Sequence, residues 1–252
     1  MKSIRLLTYN IHKGIGGRDR RYRLERVIGV IHHEQPDLVC LQEVDRNVRR
    51  TRHDDQPSRL AEELGLEHRL FQLNHRLKEG GYGNLILSRW PFLARHQVTL
   101  KMGWRKTRGA QMVHVDTPSG PLHLVNWHLG LAEHERHWQV RCLLDHHLFR
   151  EAESMATLIA GDTNDWRQTL ARGPFRRHGF HQVTAPPSRF RSFPAFIAMG
   201  SLDKVYSRGP LTVEHARVVH GKLARDASDH LPVVVDFRLQ PAPMGGDGQS
   251  HR

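Results

Sequence analysis

Apolar and polar positions alternate along this chain with two periods, one of strands and one of helices. Ser3 to Asn10 reads as a strand, and Leu24, Val27, Ile28 and Ile31 then fall on one helical face. Pro36-Asp37 stops that helix, and Leu38-Val39-Cys40-Leu41 has the continuous apolar run of a buried strand. Asp54-Asp55-Gln56-Pro57-Ser58 precedes a short helix through Leu60 and Leu64, which Gly65 ends. Strands are predicted near 68–75, 82–88, 92–99, 108–116 and 121–128, the last two joined by a turn at Thr117-Pro118-Ser119-Gly120. Val140, Leu143, Leu144 and Leu148 predict one helix over about 133–150, and Met155 to Gly161 a strand. Residues 163–200 read as loop with short helices, and Leu202 to Tyr206, Leu211 to Val218 and Leu231 to Phe237 as closing strands.

Strands and helices are thus mixed, with many strands in hairpins, and no linker or short repeat interrupts residues 1–238. That pattern predicts a single α/β domain over 1–238, built from two packed sheets flanked by helices. Residues 239–252 are Pro/Gly-rich, carry no core pattern, and are expected to be a disordered tail.

Composition adds charge to this picture. The 252 residues carry a formal net charge of +12, dominated by arginine. Such a field favours anionic partners: nucleic acid, anionic lipid headgroups or phosphorylated small molecules. A merely solvated basic surface accounts for it equally well. No apolar run is long enough to cross a bilayer, and the first residues lack the apolar stretch of a secretory signal, so a cytoplasmic monomer is expected. Cys40 and Cys142 cannot make a disulfide framework or a four-thiolate zinc site, and both are expected to be buried free thiols.

The most informative residues stand at the ends of the apolar strands. The strands run into Thr8-Tyr9-Asn10-Ile11-His12, Gln42-Glu43, Gly83-Asn84, Asn126-Trp127-His128, Gly161-Asp162-Thr163-Asn164, Leu202-Asp203-Lys204 and Ser228-Asp229-His230. Leu122, Leu124, Asn126 and His128 share one strand face, as do Ile4, Leu6, Thr8 and Asn10, so polar groups continue core-facing rows. Such groups must pair with each other, a metal or a substrate. Mg²⁺ takes one or two carboxylates plus water and phosphate oxygens, which Glu43, Asp229 and the Asn10 amide oxygen could supply. Asp162 and Asn164 could orient and deprotonate a water. His128 and His230 could stabilise a developing phosphorane or protonate a leaving oxygen.

Together, in this order, these segments resemble the endonuclease/exonuclease/phosphatase superfamily from about Ser3 to Phe237, and Arg108-Gly109-Ala110 with Glu135-Arg136 and Gln139 matches its bacterial branch. The resemblance implies a four-layer α/β/β/α sandwich of two mixed sheets flanked by helices, with a metal site at one rim. It implies a hydrolase of phosphoesters, most simply a phosphodiesterase acting on nucleic acid or phospholipid-type diesters with Mg²⁺, or Mn²⁺ in its place. Glu43 would be the principal metal ligand, with Asn10 and Asp229 nearby. Asp162 would align the attacking water, helped by Asn164. His230, held by Asp203, would contact the scissile phosphate, and His128 would be the second catalytic histidine. Asn84 would shape the phosphate pocket, with His12 and Arg108 as further substrate-binding candidates. His12 and His128 depart from the abasic-site nucleases, which carry aspartate and tyrosine there. Thr163 and Lys204 stand where bulky or aromatic residues are common.

Each residue alone has an ordinary reading: Asn10 a turn former, Glu43 a surface carboxylate, His128 a satisfied histidine, Asp162 and Asn164 a loop start. Repeating that reading for every motif in the right order is what the catalytic one avoids. The alternative from another class is a non-catalytic scaffold that binds nucleic acid or anionic membrane through its basic surface. His134-Glu135-Arg136-His137 lacks zinc-helix spacing and reads as an exposed helix start; Gly14-Ile15-Gly16-Gly17 reads as a flexible rim loop. Trp104, among Lys101, Arg105, Lys106 and Arg108, could stack on a base, lie in a lipid interface or anchor a loop.

Overall fold

The computed structural model describes residues 2–240. In chain order the elements are β1 (Ile4–Asn10), α1 (Leu24–Glu34), β2 (Leu38–Arg46), α2 (Gln56–Leu64), β3 (His68–Arg76), β4 (Gly81–Ser88), β5 (Phe92–Thr99), β6 (Gly109–Thr117) and β7 (Gly120–His128). They continue with α3 (Glu133–Leu144), α4 (His147–Glu151), β8 (Ala156–Asp162), β9 (His181–Gln182), β10 (Asp203–Arg208), β11 (Leu211–Val218), α5 (Lys222–Ala227) and β12 (Val233–Leu239).

These strands form two six-stranded mixed sheets, ordered β11-β12-β1-β2-β4-β3 and β5-β6-β7-β8-β10-β9. Each has one parallel pair at its centre, β1 with β2 and β7 with β8, and antiparallel partners outside it. The larger apolar cluster joins the first sheet's helices, through Leu24, Val27, Ile31 and Leu60, to the contact between the sheets at Leu6, Cys40, Ile86, Leu124, Leu158 and Val205. A second cluster, with Trp127, Val140, Leu143, Phe149 and Tyr206, packs α3 and α4 on the outer face of the second sheet. The result is the expected four-layer sandwich.

The sheets are also pinned by hydrogen bonds. Asn126 of β7 has its amide nitrogen 3.0 Å from Leu41 O, 3.1 Å from Leu85 O and 2.9 Å from Gln111 Oε1. Its amide oxygen accepts from Gln42 Nε2 at 2.8 Å, and that nitrogen also lies 3.2 Å from Thr8 Oγ1. Asn126, Gln42, Gln111 and Thr8 are fully buried, so each amide depends on the others for polar partners.

Three local expectations are corrected. The helix over 133–150 is two, because α3 closes on Asp145, and His146 begins α4 by accepting from Leu148 N. Cys40 is buried, but Cys142 of α3 is only partly so, packed against the edge of the second cluster. Trp104 anchors no loop and is fully exposed. The expected tail lies, from residue 241, outside the described residues. No described helix is long and apolar enough to cross a membrane.

Replacing Asn126 by Ala would strand the Gln42 amide and two carbonyl acceptors in the core. A loss of about 3 kcal/mol is expected in urea unfolding followed by the emission of the neighbouring Trp127, since each buried group left unpaired costs roughly 1–3 kcal/mol. A loss under about 1 kcal/mol would show that apolar contact alone holds the sheets together.

Candidate active site

One or two residues beyond this polar pin, the strands deliver the candidate residues. β1 ends at Asn10, β7 at His128, β8 at Asp162, and β10 begins at Asp203, paired in register with Asp162. In β2 the register against β4 shifts between Leu41 and Val44, and Glu43 within that irregularity has φ 57°. A left-handed backbone at a residue other than glycine costs about 1–3 kcal/mol and clusters where function demands it. His12, Lys13 and Asn164 share the left-handed region.

Asp162 is the hub. Its Oδ2 accepts from Asn10 Nδ2 at 3.0 Å and lies 3.4 Å from His128 Nε2 and 3.7 Å from His230 Nε2. Its Oδ1 accepts from the backbone N–H of Asn164 at 2.9 Å. Behind His230, Nδ1 is 2.8 Å from Asp203 Oδ2, which also accepts from Ser192 Oγ at 2.5 Å. The carboxylate fixes the ring's orientation, so Nε2 faces Asp162. Phe193 packs its ring 4.7 Å from the imidazole.

The electrostatics separate the two histidines. Burial would lower the His230 pKa, but Asp203 and Asp162 overcome it and raise it above the ordinary histidine value. Burial, then the Arg108 guanidinium, hold His128 far below that value, against the pull of Glu43. Asp162 is raised by burial, opposed by His230. The site therefore holds one cationic and one neutral imidazole beside the same carboxylate.

Glu43 and Asp229 lie to one side. Burial would raise the Glu43 carboxyl, yet the Lys13 ammonium that contacts it holds it well below the usual carboxylate range. Asp229 Oδ1 is 3.9 Å from His12 Nδ1, and Gly17 approaches Asp229 so closely that a Cβ there would fall 2.8 Å from its Cα. The His12 backbone N–H donates to Asn10 Oδ1 at 3.1 Å. Asn84 donates to Gly109 O at 3.1 Å, and buried Arg108 follows the rim loop with its Nε unpartnered. Asn10, His128, Asp162, Asn164, Asp203 and His230 are thus in one contact network. Glu43, His12, Asp229, Asn84 and Arg108 border it.

Among the described residues no three or more His, Cys, Asp or Glu side chains are grouped to hold a metal by themselves. The donor types nevertheless fit a hard cation that keeps water and phosphate ligands: a carboxylate on Glu43 whose counter-charge is a lysine, and, both against His12, the Asn10 amide oxygen and the Asp229 carboxylate.

Several residues of this network carry no motif signal. The sequence does not single out Lys13 and Ser192, and the pairing of Gln42 with Asn126 is visible only once the two sheets are face to face. The buried Lys204 Nζ donates to Thr163 Oγ1 at 3.2 Å and Asp165 O at 2.7 Å, so the two departures from the common pattern touch each other beneath the Asp162 loop. The expected exposed start of α3 is corrected: Glu135 and Arg136 are buried, and Arg136 reaches Leu131 O at 2.5 Å and Asp165 at 3.9 Å. The Gly14–Gly17 loop is tied by Gly16 N to Arg21 O at 3.1 Å and Arg23 N to Gly14 O at 2.8 Å.

Two mixed six-stranded sheets between helix layers, with this cluster at one rim, define a class that comparison with known proteins makes specific. Residues 7–230 match the model of the Endonuclease/Exonuclease/phosphatase family, and the chain belongs to that family. It is 27% identical to the uncharacterized protein YbhP of Escherichia coli K12 over 94% of this chain and 97% of that one. Its fold superposes on an endonuclease/exonuclease/phosphatase from Beutenbergia cavernae with a TM-score of 0.81 and 26% identity, covering 95% of this chain and 72% of the other. D. rerio TDP2 in complex with a single strand DNA product shares the fold at a TM-score of 0.70 and 19% identity, over 94% and 100%.

Burial pushes the Lys204 ammonium down to about 8 from 10.5, against Asp165 and Asp162. Between those values the native state has shed a proton that the unfolded chain keeps, so stability rises with pH there. The rise from this group amounts to about 3 kcal/mol. Unfolding from pH 7 to 11 should show it in the wild type and not in Lys204→Met; equal slopes would mean the ammonium is solvated.

Proposed function

We propose that this protein is a divalent-metal-dependent phosphodiesterase that hydrolyses its substrate by in-line attack of a water. The observation that carries the reading is the convergence of Asn10, His128 and His230 on one buried carboxylate oxygen of Asp162, with Asp203 behind His230. A buried carboxylate so surrounded is poised to orient a water and take its proton. Asn10 and the Asn164 backbone N–H fix its two oxygens. The Asn164 side chain donates its amide N–H to Leu129 O at 2.9 Å, so its part is to shape the loop and hold Asp162.

Asp203 keeps His230 protonated, which makes its Nε2 a donor to a non-bridging phosphate oxygen. His128, neutral and beside Arg108, supplies a second donor on the same side. Glu43, with Asn10 and Asp229 beside it, would hold the cation. When bound, Mg²⁺, or Mn²⁺ in its place, neutralises charge on the phosphate. Arg108 and Asn84 border the pocket on the side away from Asp203. Nucleic acid and phospholipid are both diesters of this kind; D. rerio TDP2, crystallised with a single strand DNA product, supports the first as a use of the fold.

Hydrolysis of bis-p-nitrophenyl phosphate should require Mg²⁺ or Mn²⁺ and stop with EDTA. Asp162→Ala and His230→Ala should lower kcat by at least about 10³-fold with circular dichroism unchanged, as loss of a general base or an electrostatic donor does. Full turnover in either folded variant would remove the assigned roles, and preference for p-nitrophenyl phosphate would make the enzyme a monoesterase.

A further inference from the structure

Eight large hydrophobic side chains are exposed among the described residues, and six of them, Trp104, Leu131, Trp166, Phe196, Ile197 and Met199, belong to loops at the site. Leu131 comes three residues after His128, and Trp166 two after Asn164. The 190–200 loop packs Phe193 on His230 and donates from Ala195 N to Asp229 O at 2.7 Å.

The loops touch one another in turn. Arg105, beside Trp104, reaches Glu135 at 3.4 Å and His134 at 3.1 Å, at the start of α3 just after Leu131. Arg167, beside Trp166, reaches Glu133 at 3.6 Å. Trp166 then packs edge-on to Phe193 with ring centres 6.0 Å apart. The loops that carry the exposed apolar residues therefore adjoin one another and form a collar on the second sheet's side of the site. Lys101, Arg105, Lys106, Arg167 and Arg191 are exposed or half-buried within it, and residues 101–108 and 186–200 contain no acidic residue.

We infer that this collar is a docking surface for an anionic lipid bilayer, and that it brings the site against the headgroup layer. Exposed tryptophan and phenylalanine beside aliphatic residues, framed by Lys and Arg, is the chemistry of the bilayer interface. A single strand of nucleic acid would use the three aromatic rings as stacking platforms but gains little from Leu131, Ile197 and Met199, which have no π-face. The inference rests on the diesterase reading only in that the collar surrounds the same site; adsorption itself requires no turnover.

The test is flotation of the full chain with phosphatidylcholine vesicles and with vesicles of equal parts phosphatidylcholine and phosphatidylglycerol, in EDTA. The wild type and Asp162→Ala should both float with the anionic vesicles and not with the neutral ones. The Trp104→Ser/Leu131→Ser/Ile197→Ser variant should lose at least about tenfold in partitioning, with unchanged melting temperature and unchanged hydrolysis of the soluble diester. Trp104→Phe should still float, while the blue shift of tryptophan emission on vesicle addition shrinks. Absence of wild-type flotation, or flotation of the triple variant like wild type, overturns the proposal. So does tight binding of a single-stranded oligonucleotide that the triple variant loses while no vesicle is bound. Each of these results leaves the diester assay standing, and a silent diester assay leaves the flotation result standing.

Discussion

The hydrogen bonds of Asn126 to both sheets set the geometry on which everything above them depends. Two sheets held only by aliphatic side chains can slide, since dispersion and burial are without direction. An amide locked to Leu41 O and Leu85 O of the opposite sheet cannot slide without leaving several buried groups unpaired. The candidate residues are the next ones along the same strands: Asn10 beyond Thr8, Glu43 beyond Gln42, Asn84 before Leu85, His128 beyond Asn126. At about 3.3 Å per residue, the floor of the site lies only one or two steps from the pin. A contact network drawn from both sheets, with separations of 3.0–3.7 Å to one oxygen, needs a fixed reference of that kind.

Above the pin the backbone departs from regular strand. Glu43 occupies a strand irregularity with a left-handed backbone, Asn164 turns sharply just past β8, and His12 and Lys13 do so beyond β1. At Glu43 the consequence is that the side chain does not follow the alternation of its strand. Burial then differentiates the groups. The same low-polarity surroundings that suppress the charge on His128 beside Arg108 strengthen the hold of Asp203 on the charge of His230.

Much of this is legible in the sequence, for a physical reason. Strands buried on both faces leave long apolar runs, so a polar residue at the end of such a run is conspicuous; Asn10, His128, Asp162 and Asp203 stand out in that way. The apolar spacing of α3 continues through Leu148 while the backbone turns at Asp145, and spacing does not register a local cap, so one long helix is expected where there are two. Partnerships across strands are not legible. Lys13 meets Glu43, Ser192 meets Asp203, and Lys204 meets Thr163, each over a separation set by sheet order. Lys204 and Thr163 look like two independent departures because only the register of β10 on β8 makes them neighbours. Burial along one face is also hidden at α3, where Glu135 and Arg136 turn inward among polar neighbours.

The order of strands bears on how the molecule is made. β12, the last strand of the described residues, lies between β11 and β1, so β1, the first of them, waits for the last to gain its second neighbour. Asp229 and His230 immediately precede that strand. A nascent chain that has emerged through β10 already has both central parallel pairs but lacks this imidazole and the strand that flanks β1. The candidate site is therefore completed only after every strand through β10 has been made, and a chain that stops there carries the basic, apolar-collared surface without Asp229 and His230.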